Sequence, residues 1–461
     1  MATPTVLPGL EPAWWLRDAD DGERSAPLGA PLDVDVAIVG GGYTGLWTAL
    51  ELRARDPELR VAVLEAAFCG WGPSGRNGGF CHGYWSYLAG LRDLFGDERA
   101  LELCAIGDRI VPGVRAFLAA HGEDAWLREG GMLQASTTPS QDAAVEHAVA
   151  AARELGHPQE AERRAEPGIS PAFRTAVFFR DGATVHPARL VRALRRAVLA
   201  AGVELYEGTR ATLRRGALEA NGFPVRAKDI VVATNAAAAG WRAVRGAITV
   251  FGSYVVLTEP VPELLEEIGW TRGEALIDSR MFLHYFRTTN DGRVLMGSGS
   301  GPIGFGGHID ERFTHDAPSA ARAEAGLRHL LPGLDAAKVE ASWGGPIDVA
   351  ADHTPFIGTV PGTRTHYALG YSGHGVGPSW LAGRALASLV QEADDEWTKM
   401  PLVHRRPATV PREPFRRLGG GAIRAAILAC EEAEEQGRRA PVAARIGAAV
   451  PRKLGMRLGR R

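Results

Sequence analysis

The first ninety positions alternate between short apolar runs and stretches in which apolar residues recur every three or four positions. One apolar run over 34–39 enters a glycine turn at 40–42, and a helical pattern begins directly after it. A second apolar run over 61–64 ends at Glu65, twenty residues after Gly45. Buried parallel strands are continuously apolar, whereas helices show the wider period. The pattern therefore predicts a strand, a glycine turn, a helix and a second strand.

The glycine turn has the spacing of a dinucleotide-binding turn. Gly40 allows a tight turn, Gly42 lets the backbone approach a pyrophosphate, and Gly45 lets the helix pack closely on the strand. The free N–H groups at the helix start, at Tyr43 and Thr44, would hold phosphates together with the positive end of the helix dipole. The sequence therefore predicts a dinucleotide site at this turn.

The end of the second strand adds a predicted ribose contact. Glu65, followed by Ala66, is placed to accept hydrogen bonds from a ribose hydroxyl. A carboxylate at this place would repel a 2′-phosphate, so the pattern disfavours an NADP-type ligand. The alternative is a glycine set that packs a helix on a strand and binds no ligand.

The strand–helix alternation stops after this unit and resumes much later in the chain. Helices are predicted over 97–121 and 140–165, with a strand over 130–136 between them. The alternation returns with a helix that has Pro187 in its first turn and with a buried strand over 229–235. We therefore expect a nucleotide domain that is interrupted by inserted residues.

Residues 248–298 have a different, β-rich pattern. Strands are predicted over 248–257, 281–287 and 293–298, where β-branched and aromatic residues are frequent. Asn290-Asp291-Gly292 between the last two strands is a hairpin turn signal. This part of the chain predicts an antiparallel sheet that could form the wall of a substrate site.

The predicted fold class combines α/β and α+β architecture. It comprises a discontinuous Rossmann-like nucleotide domain, an antiparallel-sheet substrate domain and a basic C-terminal helical tail. The predicted segments are nucleotide-domain parts at 1–90 (with an N-terminal arm), 181–245 and 341–398, substrate-domain parts at 91–180 and 246–340, and the tail at 399–461.

Composition narrows the functional classes only a little. The 461-residue chain is 45% hydrophobic and 23% charged, as is usual for a globular protein. It has no apolar run long enough for a membrane span, and residues 1–9 lack the pattern of a secretory signal. The four cysteines show no metal or redox spacing, so we expect reduced thiols, no metal site and a cytoplasmic protein.

The charge is concentrated at the C-terminal end. From residue 401 onward there are fourteen Arg or Lys and five Glu, although the whole chain has a net charge of −2. A basic tail can bind nucleic acid or an anionic membrane, but the acid cluster Glu431–Glu435 argues against a nucleic-acid arm. An apolar stripe in the tail favours packing on the acidic body or on a partner subunit, so a homo-oligomer is left open. The stripe consists of Phe415, Leu418, Ile423, Ile427 and Leu428.

Three further motifs complete the pattern. The first is Gly72-Pro-Ser-Gly-Arg-Asn-Gly-Gly79, and the second pairs Tyr285-Phe-Arg287 with Asp291-Gly-Arg293. The third joins Asp352-His-Thr-Pro-Phe-Ile-Gly358 to Gly373-His-Gly-Val-Gly377, which opens a predicted helix. With the first glycine turn, and in this order, these motifs resemble the D-amino-acid oxidase superfamily of FAD-dependent amine oxidoreductases. The resemblance covers about residues 10–395 and is strongest to γ-glutamylputrescine oxidase and to glycine and sarcosine oxidases.

The resemblance implies a FAD site made of several separate segments. The residues implied are Gly72, Ser74, Gly75, Arg76, Asn77, Gly78, Gly79, Thr234, Asn235, Asp352, Gly358, Gly373, His374, Gly375, Val376 and Gly377. Arg76 and Asn77 would contact phosphate or ring atoms, or would be solvated residues of a turn. His374 would contact the ring or be a hydrogen-bonded turn residue, and the helix after it would stabilise negative charge on the reduced flavin.

The predicted substrate contacts lie on the antiparallel sheet, at Tyr254, His284, Tyr285 and Arg287. An arginine beside a tyrosine can hold a carboxylate, although Arg287 could also pair with an acid on the surface. Strand alternation places Tyr285 and Arg287 on one face and makes His284 a weaker candidate. His82 and Trp85, just beyond the glycine loop, are also weaker candidates because such residues more often serve packing.

The departures from the family pattern concern flavin attachment and oxygen. Residues 343–352 contain no cysteine and residues 71–75 no histidine, so FAD is expected to be non-covalent. Residues 297–307 contain no lysine, which puts O2 in doubt against another electron acceptor. The expected reaction is hydride transfer from the carbon beside an amine nitrogen of a small molecule to flavin N5, giving an imine. The alternatives are a flavin hydroxylase or non-amine dehydrogenase, and a non-catalytic FAD module.

Overall fold

The structure, a computed structural model, describes residues 13–214 and 216–453. The expectations for residues 1–9 and for the last eight residues of the tail therefore lie outside the described residues. The strands in the described ranges are β1 (Leu32–Val39), β2 (Val61–Leu64), β3 (Phe80–His82), β4 (Met132–Ser136), β5 (Glu162–Arg164), β6 (Thr175–Phe179), β7 (Gly182–Thr184), β8 (Glu204–Tyr206), β9 (Ala211–Arg214), β10 (Ala217–Ala220), β11 (Phe223–Val232), β12 (Ile248–Thr258), β13 (Ala275–Asp278), β14 (His284–Thr288), β15 (Val294–Ser298), β16 (Val339–Ala350), β17 (Phe356–Thr359) and β18 (Thr365–Leu369).

The helices join these strands and cover the sheets. They are α1 (Trp14–Asp18), α2 (Tyr43–Arg55), α3 (Leu88–Phe95), α4 (Asp97–Gly107), α5 (Ile110–His121), α6 (Asp142–Glu154), α7 (Pro187–Ala200), α8 (Pro262–Glu267), α9 (Ala317–Leu330), α10 (Pro378–Val390), α11 (Glu396–Lys399), α12 (Phe415–Glu435) and α13 (Val442–Lys453). No helix of residues 13–214 and 216–453 is long and apolar enough to cross a membrane.

The first sheet has the predicted Rossmann-like character. Its strand order is β17-β18-β11-β1-β2-β8, with the hairpin β9–β10 attached to β11. Strands β8, β2, β1, β11 and β18 run parallel, in registers such as Val36 opposite Val61 and Ile38 opposite Val231. Helices α2 and α10 pack together beside it, so closely that a Cβ on Gly383 would lie 2.6 Å from the Cβ of Trp47. Three separate stretches of the chain thus build one sheet.

The second sheet is largely antiparallel, as predicted. Its order is β16-β12-β15-β14-β13-β4-β6-β5, and only the β13–β4 pair is parallel. Hairpin β14–β15 turns at 289–293 through the predicted Asn-Asp-Gly signal. Phe286 and Met296 face α9 in a buried apolar cluster. The other face of β14 is therefore available for a site.

Some predicted boundaries differ from the structure. The predicted helix over 97–121 is two helices, because the chain turns at residues 108–109. The predicted helix over 140–165 ends at Glu154, after which a short strand adds to the antiparallel sheet. The predicted domain boundary at residue 340 falls inside β16, which pairs with β12 along its length. Strand β16 of the second sheet therefore extends into the segment predicted for the nucleotide domain.

The tail forms two helices that contact the body of the same chain. The carboxylate of Glu431 accepts a hydrogen bond from the backbone N–H of Met281 at 2.7 Å, and the Arg416 guanidinium donates to the carbonyl of Arg245 at 3.0 Å. The predicted apolar stripe is only partly correct. Ile427 is buried, but Phe415 is 73% and Leu418 69% exposed.

Candidate active site

A cavity of about 490 Å³ is lined by strands of the second sheet, the loop at 72–79, the connection at 351–354, the turn at 372–376 and the tail. This size suits a small ligand or part of a cofactor. Its predicted residues are Arg76, Asn77, Gly78, Tyr285, Asp352, Gly373, His374 and Val376. Much of the remaining wall is apolar, with residues such as Leu91, Met132 and Ile303. The structure thus brings together motifs that are almost three hundred residues apart in the chain.

The loop at 72–79 is held close to the second sheet by contacts that only glycine permits. Gly79 has a φ of +76°, and a Cβ there would lie 2.1 Å from the carbonyl oxygen of Val185. Gly75 makes a similar approach, with a Cβ position 2.3 Å from the carbonyl oxygen of Gly70, whereas Gly72 has nothing within 4 Å. The loop backbone therefore has little freedom beside the cavity at its C-terminal end.

Arg76 has a buried guanidinium that the protein satisfies only in part. The residue is 3% exposed, and its Nε donates to the carbonyl of Trp71 at 2.8 Å. Its two Nη atoms are buried and have no hydrogen-bond partner among the described residues. Burial lowers the pKa of Arg76 to about 10, so it stays protonated at neutral pH. A buried cation with unused donors in a cavity wall suits an anionic or electron-rich ligand group.

Asn77 uses its side chain within the loop. Its Nδ2 donates to the carbonyls of Pro73 and Ser74, and its Oδ1 accepts from the N–H of Gly79 at 2.7 Å. The carbonyl of Asn77 in turn accepts from the indole of Trp15 at 3.1 Å. The side chain of Asn77 therefore stabilises the loop. Its amide is already hydrogen-bonded within the loop, so the structure does not support the predicted polar contact with a cofactor.

The first glycine turn lies directly against this loop. Gly40 has a φ of +113°, and a Cβ on Gly45 would lie 2.0 Å from the carbonyl oxygen of Gly40. Gly42 precedes α2, and a Cβ there would lie 2.8 Å from the Oγ of Ser74. Ser74 Oγ also accepts from the N–H of Tyr43 at 3.0 Å. The two glycine segments therefore form one continuous surface.

Glu65 is folded back onto the first glycine turn. Its carboxylate accepts from the N–H of Gly41 at 2.8 Å and from the N–H of Ala67 at 2.9 Å. Burial raises the pKa of the Glu65 carboxyl, and these two hydrogen bonds oppose that effect. Ala66 is exposed beside it. The predicted ribose contact of Glu65 stays a prediction.

The side chains of Tyr43 and Thr44, the two predicted residues at the start of α2, point into the protein. The Thr44 hydroxyl lies 2.8 Å from the hydroxyl of Tyr371, in the strand-to-turn connection that leads to Gly373. The Tyr43 hydroxyl donates to the carbonyl of Pro187 at 2.9 Å. Both side chains are buried, so only the backbone of these residues is left for a ligand.

The second glycine turn, at 373–377, places a histidine in the cavity wall. His374 packs against Tyr87, with ring centroids 4.5 Å apart, and lies 6.5 Å from the ring of His82. A Cβ on Gly377 would lie 2.4 Å from the carbonyl oxygen of His82. Gly375 lies against the ring of Tyr371. The turn is thus wedged between β3 and the start of α10.

Thr234 and Asn235 follow β11 at the carboxyl edge of the first sheet but do not line the cavity. Asn235 has a φ of +47°, and its Nδ2 donates to the carboxylate of Asp348 at 2.7 Å. Asp348 also accepts from the N–H of Gly370, and burial raises its pKa to about 7. The Oδ1 of Asn235 is buried without a partner among the described residues.

Asp352 lines the cavity but is held by the tail. Both of its carboxylate oxygens accept from Arg405 at 2.8 Å, and this pair together with hydrogen bonds lowers the pKa of Asp352 against the effect of burial. His353, which the sequence motif contained without any assigned role, also faces the cavity. Its φ is +55° and its Nε2 has no partner among the described residues. Gly358 lies in β17, where a Cβ would approach the Tyr367 hydroxyl at 3.0 Å.

Tyr285 is the predicted substrate residue that the structure places in the cavity. Its hydroxyl lies 2.8 Å from the Oγ of Ser253 on β12, and its ring lies over Gly297 and Gly78. A Cβ on Gly297 would be 2.1 Å from this ring, so the glycine is needed for the close approach. Burial raises the pKa of Tyr285 to about 12, and the phenol therefore stays neutral at neutral pH.

The structure corrects the prediction for Arg287. It shares a face of β14 with Tyr285, as the alternation predicted, but it lies beneath the loop at 78–79 and outside the cavity wall. The side chain has no exposed surface, and its Nη1 donates to the carbonyl of Val185 at 2.5 Å. We therefore do not retain Arg287 as the anchor of a substrate carboxylate, nor is it the surface residue of the alternative.

Tyr254 and His284 are also directed away from the cavity. The Tyr254 hydroxyl donates to the carbonyl of Arg312, and the residue is buried on β12. His284 Nδ1 lies 2.8 Å from the carboxylate of Asp278, and its ring packs against Gly326 of α9. The prediction that Tyr254 contacts substrate is therefore wrong, whereas the weaker rank given to His284 agrees with its position.

The site contains residues that the motifs did not indicate. Ser253, Met281 and Gln134 lie in the wall near Tyr285, and α12 of the tail closes another side. His82, a weaker candidate, does line the wall, whereas the indole of Trp85 donates to Asp108 at 2.7 Å and serves packing. The only sequence signal in the tail was its apolar periodicity. Such a periodicity predicts that a helix packs on another surface, but it does not predict that the helix lines a cavity.

These features fit a flavin dinucleotide. The glycine surface is too close-packed for side chains, and Arg76, a residue of the cavity wall, has two buried Nη donors without a partner among the described residues. Backbone of the turn at 373–377 lines the opposite side. Fold and cavity together indicate a dinucleotide-binding protein with a separate antiparallel sheet beside its cavity.

The chain belongs to the family of FAD dependent oxidoreductases described as DAO, whose family model matches residues 35–389. The protein is therefore a FAD-dependent oxidoreductase. This agrees with the family resemblance of the four motifs and confirms FAD as the cofactor.

The chain is also similar to named relatives and to solved structures. The chain is 29% identical to the probable oxidoreductase OrdL of Rhizobium meliloti, over 86% of this chain and 89% of the relative. It is 28% identical to the gamma-glutamylputrescine oxidoreductase of Escherichia coli, over 85% and 92%. The glycine oxidase structure from Geobacillus kaustophilus has a TM-score of 0.68 at 24% identity and covers 81% of this chain and 99% of its own. At this identity the structural likeness shows the fold alone.

Proposed function

We propose that the protein oxidises the C–N bond of a small amine or amino-acid-like molecule to an imine. The observation that carries this proposal is the apolar cavity in which the glycine loop at 72–79, the turn at 373–377 and Tyr285 of the substrate sheet meet. The named relatives, a gamma-glutamylputrescine oxidoreductase and glycine oxidases, support an amine as the substrate.

The roles of the residues follow from their positions. Backbone of the turns at 40–45 and 72–79 would hold non-covalent FAD, and Arg76 would donate to one of its polar groups. When bound, FAD supplies the two-electron acceptor for the hydride released beside the amine nitrogen. Tyr285 and Ser253, which hydrogen-bond to each other, would orient the substrate, because both lie in the wall of the cavity.

Among the described residues of the wall, no carboxylate is free to pair with an amine, and much of the wall is apolar. The phenol of Tyr285 is neutral, and Asp352 is held in an ion pair with Arg405, so neither offers a free carboxylate that would keep an amine protonated. An apolar wall would reduce the water around the C–H bond that reacts. These properties suit oxidation of a neutral amine, for which orientation matters more than a dedicated base.

The test is anaerobic reduction of the bound flavin by a panel of amines. The panel includes glycine, sarcosine, proline, putrescine and γ-glutamylputrescine, and bleaching of the visible flavin bands is the readout. We expect at least one amine to bleach the flavin within the time of turnover. Reduction by NADPH but by no amine would contradict the proposal and favour a hydroxylase. Reoxidation by O2 and by an artificial dye, measured separately, identifies the class of electron acceptor.

A further inference from the structure

Part of the cavity wall comes from residues outside the family match. The family model ends at residue 389, and the Geobacillus glycine oxidase structure covers 99% of its own chain but only 81% of this one. Helix α12 nevertheless reaches the cavity. Its residues in the wall are Phe415, Arg416, Gly419, Gly420, Ile423 and Arg424. The tail is therefore a structural part of the site.

Contacts with the substrate side hold α12 in this place. Glu431 accepts from the N–H of Met281 at 2.7 Å, and Met281 is itself a residue of the wall. Glu435 forms an ion pair with Arg280, which directly precedes Met281 in the chain. The C-terminal half of α12 thus fixes the same segment that closes the cavity beside β14.

Arg424 is bound by a carbonyl and not by an acid. Its Nε donates to the carbonyl of Ser300 at 2.8 Å, and no carboxylate oxygen of the described residues lies within 4.0 Å of its guanidinium. Arg322 donates to Ser300 as well, to its hydroxyl at 3.0 Å, and also lacks a carboxylate partner within the described part of the chain. Two guanidinium groups therefore meet at one residue, and no carboxylate of residues 13–214 and 216–453 pairs with either.

The other arginines in the wall are Arg76, on the glycine loop, and Arg416, whose guanidinium donates to the backbone carbonyls of Pro411, Ile248 and Arg245. Two arginines just outside the wall have acid partners instead. Arg405 pairs with both oxygens of Asp352, and Arg280 pairs with Asp278 and Glu435. Like charges placed together repel each other, and a buried cation loses hydration that only a counter-ion or strong acceptor replaces. Arg424 lies half-buried at the cavity wall with a carbonyl as its acceptor and without a carboxylate partner, so its charge is available to an anionic group in the cavity.

The same helix leaves room beside this cation. Three consecutive glycines, 419–421, lie in α12, although glycine weakens a helix by about 1 kcal/mol relative to alanine. A Cβ on Gly419 would meet nothing within 4 Å, and Gly419 and Gly420 line the cavity whereas Gly421 does not. The absence of side chains keeps this side of the cavity open.

We propose that α12 forms a wall of the substrate site and that Arg424 holds an anionic group of the substrate, distant from the C–N bond that is oxidised. The inference rests on the proposed amine oxidation and makes it more specific. The substrate class is then an amine that carries a carboxylate, and its anchor is in the tail and not on the sheet, where Arg287 donates to backbone carbonyls beneath the loop.

The first experiment measures binding of pentanoate and of pentanamide to the FAD-loaded protein by calorimetry. These ligands have the same length and differ in charge. We expect the wild type to prefer pentanoate, and Arg424→Gln to weaken pentanoate about tenfold with little effect on pentanamide. Arg424→Lys should restore part of the loss. Arg417→Gln is the matched control, because Arg417 is an exposed cation of the same helix outside the cavity wall.

Two results would overturn the assignment of Arg424. One is a wild type without preference for pentanoate, and the other is an Arg424→Gln protein that loses both ligands equally. Failure of the amine panel with a selective loss of pentanoate would contradict the proposed reaction and leave the anion site in place. Flavin reduction by amines, together with an Arg424→Gln protein that binds pentanoate as the wild type does, would support the proposed reaction and contradict the anion site.

The second experiment tests the wall of α12 by filling it. Gly419→Leu adds a side chain at a residue of the cavity wall, whereas Gly421→Leu adds the same side chain to the same helix at a residue outside the wall. We expect Gly419→Leu to weaken pentanoate at least about fivefold more than acetate, and Gly421→Leu to change their ratio by less than about twofold. Equal effects of the two substitutions would show that α12 is not a wall of the binding site.

Discussion

The glycine loop at 72–79 and helix α12 line the same cavity but are held in place by different means. At Gly79 the backbone has a φ of +76° and lies so close to Val185 that no Cβ fits. Helix α12 is held by side chains that reach backbone groups, as Glu431 does at Met281. The close backbone contact at residue 79 permits only glycine. The hydrogen bonds that hold α12 could be made by other pairs of residues. The proposed cofactor side can therefore be predicted from sequence motifs, and the proposed substrate side much less so.

The largest expected effect is that of Gly79→Ala. The new Cβ would meet the carbonyl of Val185 at 2.1 Å and Arg287 Nη1 at 2.4 Å, and the positive φ adds strain. We expect a loss of roughly 3 kcal/mol in stability and purification mostly without flavin. The flavin absorbance per protein and the melting temperature measure both.

Gly72→Ala is the control within the same loop. A Cβ on Gly72 would have nothing within 4 Å, and the residue has a negative φ of −72°. The variant should keep its flavin and change stability by less than about 0.5 kcal/mol. If both substitutions release flavin equally, the close approach at Gly79 is not what distinguishes the loop.

Sequence motifs predicted the parts of the site that depend on backbone approach. Gly40, Gly45 and Gly79 lie where the motifs placed them, because tight turns and close packing leave few residue choices. Arg287 was predicted as a substrate anchor because a strand pattern gives the face of a residue and not its depth. It lies on the predicted face, yet the loop at 78–79 covers it.

The tail shows the other limit of sequence reasoning. An apolar stripe predicted that it packs, but periodicity does not tell which surface receives it. Leu418 of that stripe is exposed and lies outside the cavity wall, whereas Phe415 and Ile423 line the cavity. Arg424, a polar residue outside the stripe, lines it as well. Long-range contacts such as that between Glu431 and Met281 leave no pattern in a single sequence.

The next largest expected effect is that of Arg76→Gln on FAD binding. Arg76→Gln removes the buried guanidinium whose two Nη atoms lack partners among the described residues. Charge-assisted hydrogen bonds contribute about 2 kcal/mol, so we expect the Kd for FAD to rise about thirtyfold. Titration of apoprotein with FAD, followed by flavin fluorescence, gives the value.

Arg60→Gln is the matched control for this change, because Arg60 is an exposed arginine paired with Glu204 just before β2. Its Kd for FAD should equal that of the wild type. An unchanged Kd for Arg76→Gln would mean that Arg76 faces the substrate part of the cavity, and the division into a cofactor side and a substrate side would have to be redrawn.

A smaller and more local effect is expected for α12. Glu431→Gln weakens the hydrogen bonds to the N–H groups of Met281 and Phe282 by about 1 kcal/mol, because the acceptor loses its charge. Hydrogen exchange in α12 should quicken about fivefold while the melting temperature of the body changes little. Exposed Glu432 provides the control Glu432→Gln. If Glu431→Gln lowers the melting temperature as much as Gly79→Ala, the tail is not attached locally and the contrast fails.

The smallest effect comes from His353, which has a backbone conformation like that of Gly79 but carries a side chain. Its φ is +55°, and burial lowers the pKa of its imidazole to about 4, against a weak opposing effect of Asp352. Because the folded pKa lies below the unfolded value of about 6.5, the folded state binds fewer protons between these pH values. The neutral imidazole therefore contributes stability that is present above about pH 6.5 and is lost as the pH falls toward 4.

His353→Gly removes both the loss of stability at low pH and the strain of the positive φ. We expect the variant to differ from the wild type by less than about 1 kcal/mol at pH 7 and to be about 1 kcal/mol less sensitive to a change from pH 7 to pH 5, since the side chain keeps some exposure. Melting temperatures of the apoproteins at the two pH values measure the difference. The contrast with Gly79 then becomes sharper, because a positive φ alone is tolerated at residue 353, and the Cβ contact with Val185 is what makes the glycine loop intolerant. An equal fall in melting temperature for both proteins would show that His353 is charged in the folded state and that its burial does not govern its titration.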